Sequence, residues 1–106
     1  MKELSLKLLR ELCNNGNVIW SDHIHKRLNE RILNRKDVYN VLNNGKIIEQ
    51  YPDDYPHPSC LISGKDLQGN PLHIVVACNG ITVTMVTAYF PTEDKFEDNF
   101  ETRKEK

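Results

Sequence analysis

The chain has 106 residues, 39% of them hydrophobic and 27% charged, and a formal net charge of −1. That length and balance describe one modest domain with its own core and exclude a disordered chain. No apolar run approaches the ~18 residues of a membrane span and no signal-peptide pattern opens the sequence, so a cytoplasmic protein without membrane partners is expected.

Residues 3–14 have the spacing of an amphipathic helix, with Leu4, Leu8 and Leu12 as its buried stripe and Leu9 alongside. Asn14-Asn15-Gly16 ends it, because Asn and Gly tolerate the left-handed conformation. Asn17–Trp20 reads as an extended link. Ser21 is the cap of a second helix running to Ile32, with Asp22 at the positive end of the helix dipole. Ile24, Leu28 and Ile32 form its apolar stripe, while His23, Arg27 and Arg31 occupy a neighbouring face within an arc of about 80°. Asn34 caps a shorter helix with Val38, Val41 and Leu42 inward, and Asn43-Asn44-Gly45 ends it by the same left-handed logic.

The remainder reads as a sheet. Lys46–Tyr51 starts a strand, and Pro52, Pro56 and Pro58 make the next segment a loop. Ser59–Lys65, Leu72–Cys78 and Ile81–Phe90 are further strands, joined by a turn at Asp66–Asn70 and a two-residue type I′ hairpin at Asn79-Gly80. The expected fold is α+β: two or three N-terminal helices packed on an antiparallel sheet of about four strands. A single domain covers residues 1–92. Residues 93–106 form a charged tail, and Thr92–Lys104 is a candidate helix with Phe96 and Phe100 as a docking pair.

Candidate chemistry is sparse. The three cysteines, Cys13, Cys60 and Cys78, are odd in number and lack CxxC spacing, so they read as buried thiols rather than a disulfide framework or zinc site. His23 and His25 diverge on a helix, and no histidine has companions at metal-ligand spacing, so neither metal nor cofactor is expected. Residues 21–46 carry six basic side chains against three acidic ones, a small focused patch suited to an anion. Its plain reading is a solvated face neutralised by Glu30 and other carboxylates; its sharper one is a phosphate or carboxylate site. His73 interrupts an apolar strand, and Tyr89 lies near the end of the next. A turn at Asn79-Gly80 would set His73 roughly opposite Val86, with Tyr89 near the same end of the ribbon.

Taken together, Ser21-x-His23, Arg27, Arg31-Ile32, Asp37-Val38, Asn44-Gly45-x-Ile47-Ile48, Tyr51, Pro71–Val75 and Val86-Thr87-x-Tyr89-x-Pro91 resemble a small bacterial and archaeal family. It is the domain-of-unknown-function family numbered four-two-five-eight, and the resemblance spans about residues 18–92. It implies a fold similar to the RelE-like ribonuclease toxins, and its mapped positions are His23, Arg27, Arg31, His73 and Tyr89. The tail Phe96–Lys104 is similar to that of members encoded beside an antitoxin of the zinc-finger plus helix-turn-helix type. An antitoxin of that kind, and RNA or the ribosome, are therefore the implied partners.

A metal-free ribonuclease needs a base for the 2′-hydroxyl, an acid for the leaving oxygen and cations for the phosphorane. Histidine suits proton transfer near neutrality, and arginine binds phosphate bidentately. On this reading His73 and His23 are base and acid in either order. Arg27 and Arg31 are the clamp, and Tyr89 orients or donates a proton. The alternative is a non-catalytic interaction module whose basic helix face binds an acidic partner.

Overall fold

The computed structural model describes residues 3–30 and 33–91. Arg31, Ile32 and the Thr92–Lys104 helix expectation lie outside the described residues. Three helices, α1 (Leu6–Asn14), α2 (Asp22–Asn29) and α3 (Arg35–Asn44), accompany five strands: β1 (Val18–Trp20), β2 (Lys46–Tyr51), β3 (Ser59–Lys65), β4 (Pro71–Cys78) and β5 (Val83–Tyr89). The sheet order is β1-β5-β4-β3-β2, antiparallel except for the parallel pair β1–β5. The expected extended link is thus a fifth strand at the edge, tied to β5 by Val83 N–H to Asn17 O and Ser21 N–H to Met85 O.

Strand alternation sorts the sheet into two faces. Leu72, Ile74, Val76 and Cys78 of β4, Cys60 and Ile62 of β3, and Val83, Met85 and Ala88 of β5 form one core with the helices. Onto it α3 contributes Val38, Val41 and Leu42, and α2 contributes Ile24. From α1 come Leu9 and Cys13, whereas Leu8 is 37% exposed. The stripe is therefore shifted from the expected one, because the helix begins at Leu6 and its i,i+4 pair Leu9/Cys13 faces α3 and β5. Leu4 precedes the helix and is held by both its N–H and C=O on the Gln50 side-chain amide.

The helix starts follow their caps. Ser5, Ser21 and Asn34 each accept a backbone N–H of the first turn, from Leu8, Ile24 and Lys36. Gly16 has φ +85°, the left-handed stop expected after α1. Gly45 does not: its φ is −90°, and what it supplies is space. A Cβ there would lie 2.3 Å from the Ser63 carbonyl oxygen and 2.6 Å from that of Val41, so only glycine lets α3 close onto β3.

The β4–β5 connection also departs from the two-residue turn. Cys78 pairs with Val83, leaving the four-residue loop Asn79–Thr82. Asn79 Oδ1 accepts the N–H groups of both Ile81 and Thr82, and Gly80 takes φ +94°. The Asn side chain closes the turn in place of a tight backbone pair. Two further residues in the loop and an irregularity between Val75 and Val76 shift the register by three, so His73 stands opposite Tyr89 rather than Val86.

Candidate functional site

The face of the sheet turned away from the helices carries His73 and Tyr89. Register pairs run Lys46↔Ser63, Ser63↔His73 and His73↔Tyr89, so these four residues form one row across β2, β3, β4 and β5. Directly opposed residues hold their Cβ atoms about 4.5–5.5 Å apart, close enough for these side chains to act together. The neighbouring row runs Glu49, Leu61, Val75 and Thr87, and the Tyr51 hydroxyl donates to the Glu49 carboxylate on the same face.

His73 is 0% exposed, as is Leu61, and Ser59 and Ser63 beside them are also buried. His73 Nδ1 lies 3.4 Å from the Tyr89 hydroxyl, with the rings edge to face at 5.5 Å between centroids. At that separation the hydrogen bond is weak, and its direction follows the imidazole tautomer. An imidazole against a phenol is a proton-transfer pair in which either ring can orient the other. Lys46 adds a cation to the row, and Ser63 a hydroxyl.

The α2 residues belong to the other layer, because Ile24 seats that helix on the helical side of the sheet. Ser21 fixes its start twice: its hydroxyl caps Ile24 N–H and donates to Val86 O at 2.6 Å. His23 is exposed, whereas Arg27 is half-buried and its Nε is enclosed with no hydrogen-bond partner among the described residues. Burying a donor without an acceptor is costly. Of the five mapped positions the structure brings His73 and Tyr89 into contact and carries His23 and Arg27 on α2. Arg31 lies outside the described residues.

A family model described as Domain of unknown function (DUF4258) matches residues 20–90. The chain belongs to this family. No curated protein matches it, and no solved structure does. The DUF4258 match begins at Trp20, at the end of β1, and closes at Phe90, just past Tyr89. It therefore takes in α2 and the whole Lys46–Ser63–His73–Tyr89 row.

Lys46 and Ser63 escape a reading of the sequence alone because each is an ordinary polar residue in its own strand. Their only signal is alternation, and that becomes useful once the register of all four strands is known. Among the described residues no group of three His, Cys, Asp or Glu side chains is placed to hold a metal, and no helix is long and apolar enough to cross a membrane.

Proposed function

We propose that this DUF4258 domain is a toxin-like, metal-independent ribonuclease of RelE-like type, working in the cytoplasm and held in check by a partner antitoxin of the zinc-finger plus helix-turn-helix kind. The observation that carries the reading is the contact between His73 and Tyr89, 3.4 Å apart in a row that also holds Lys46 and Ser63. RNA cleavage by its own 2′-hydroxyl needs few parts. A base takes the 2′-proton, the 2′-oxygen attacks phosphorus, the bond to the 5′-oxygen breaks, and an acid protonates that oxygen. In this scheme His73 serves as one proton-transfer group with Tyr89 orienting it or donating a proton, and His23 serves as the other. Arg27 and Arg31 neutralise the phosphorane, where guanidinium charge counts most.

One observation favours a second reading, a non-catalytic module that binds an acidic partner through α2. His73 is fully enclosed on the face turned away from the helices, whereas His23 and Lys26 are exposed and Arg27 half-buried on α2 in the other layer, so these groups do not line one cleft as the cleavage scheme requires. The deciding experiment incubates the purified protein with RNA and with translating ribosomes in excess chelator and maps the ends. The ribonuclease reading expects cleavage that persists and leaves 2′,3′-cyclic or 3′-phosphate ends. No cleavage in either setting by folded protein favours the module instead, and cleavage only with added divalent metal overturns the acid–base assignment.

A further inference from the structure

Leu61 and His73 stand on the face of the sheet turned away from the helices, and both are 0% exposed. Among the described residues no helix covers that face. All three pack on the other one, through Leu9 and Cys13 of α1, Ile24 of α2 and Val38, Val41 and Leu42 of α3. The loop of residues 52–58 closes one end only: the Asp54 carboxylate accepts the Ser59 hydroxyl at 2.6 Å, while Tyr55 is 91% exposed. Ser59 lies four residues from Ser63, the partner of His73, which is about 13 Å along an extended strand. A side chain on an uncovered sheet keeps its tip in water, so this face needs a second layer.

The sequence supplies a candidate at the right place. β5 ends at Tyr89, directly opposite His73, and residues 92–106 follow almost at once. Their only apolar side chains are Phe96 and Phe100, four apart and so on one side of a helix. Most of the other residues in that stretch are charged, which suits the solvent side of a covering helix. The lengths agree as well. A helix over residues 92–104 would be about 20 Å long, and the distance from β5 across β4 and β3 to β2 is about 14 Å. Such a helix would set its two rings over the row of Thr87, Val75 and Leu61, beside His73.

We propose that residues 92–106 fold back from the end of β5 and dock through Phe96 and Phe100 on the outer face of the sheet, covering Leu61, Val75 and His73. The segment is then a built-in mask. It stands between the His73–Tyr89 pair and anything that approaches it, so a substrate or partner reaches that pair only by displacing the segment. The mask also accounts for a histidine wholly enclosed on the side of the sheet that α1, α2 and α3 leave open. It does not rest on the ribonuclease reading, because it follows from packing alone.

Two measurements on the full chain test it. In the first, the photocrosslinker p-benzoylphenylalanine replaces Phe100, the dilute protein is irradiated, and the joined peptides are mapped by mass spectrometry. Attachment within one chain to outer-face residues such as Leu61, Val75 or Thr87 is the expected result. Attachment to the helices, attachment only between two copies, or none at all overturns the mask. In the second, diethylpyrocarbonate modifies accessible imidazoles, and the tryptic peptide of residues 66–95 reports on His73, its only histidine. In the unaltered protein the exposed His23 should react at least about tenfold faster than His73, because an enclosed group reacts only through local opening. The Phe96→Ser/Phe100→Ser variant should raise the His73 rate about tenfold or more relative to His23, with circular dichroism confirming the fold. A His73 that reacts as fast as His23 in the unaltered protein, or stays protected in the folded variant, overturns the proposal.

Discussion

His73 and Tyr89 face each other directly across β4 and β5, with Nδ1 3.4 Å from the phenolic oxygen. Four residues in the β4–β5 loop and the irregularity beside Val75 produce that pairing, so the geometry depends on the loop as much as on either strand. His73→Gln should lower RNA cleavage by ~10² or more, the usual scale for losing an acid–base group. Tyr89→Phe keeps the ring contact and removes only the hydroxyl, so its loss should be smaller and should show as a shifted pH profile. Initial rates across pH, with circular dichroism to confirm folding, check both. Undiminished cleavage by folded His73→Gln would show that the pair does no chemistry.

The three cysteines are all buried and unbridged. Burial pushes the Cys60 thiol up to about 12 and the Cys13 thiol up to about 11, with the neighbouring Cys78 adding to both. At pH 8 Cys60 should then carry about three orders of magnitude less thiolate than an ordinary cysteine. The native protein should react very slowly with a thiol reagent at that pH, and all three groups should become reactive together in denaturant. Fast modification of Cys60 or Cys13 in the folded state would contradict their placement in the core.

Gly45 is the tightest point between α3 and the sheet. Both atoms that a Cβ would strike, the carbonyl oxygens of Ser63 and Val41, are backbone and cannot swing aside. Gly45→Ala should destabilise the fold by about 1–3 kcal/mol or more, the scale of overpacking. Gly16→Ala meets open space and suffers only its φ of +85°, a strain of about 1–2 kcal/mol. Urea midpoints of the two variants should therefore fall in that order, with Gly45→Ala lower.

Much of this was legible in the sequence, for local reasons. Ser21 and Asn34 announce their helices because a cap and the N–H that donates to it are two or three residues apart. The alternation of Leu72, Ile74, Val76 and Cys78 against His73 identifies two faces without knowledge of any partner strand. What stayed hidden is long-range. Val18–Trp20 pairs in parallel with Val83–Met85, some 65 residues on, and a parallel pair has no hairpin turn to reveal it. The row from Lys46 to Tyr89 depends on three registers at once, and an error in one turn displaces every pairing beyond it. Gly45 shows the same limit: a left-handed stop and a close helix–sheet approach look identical in sequence.

Asp66 offers a pH test of the turn between β3 and β4. Burial alone would raise its pKa, but hydrogen bonds from Asn70, Gln68 and Gly69 outweigh that and bring it below its ordinary value of 3.8. A carboxyl with a lowered pKa in the folded state binds its proton more weakly there than in the unfolded chain. Its contribution to stability is therefore fully present above the unfolded value, near pH 4, and is lost as pH falls through the folded one. Asp66→Asn replaces one acceptor oxygen with a donor that opposes Asn70, and it removes the titration. The variant should be less stable than the parent at pH 7, and the gap between their urea midpoints should narrow steadily below about pH 4. Other carboxylates titrate in both proteins and cancel in the difference. A gap that stays constant down to acid would mean that the turn gains nothing from the ionised group.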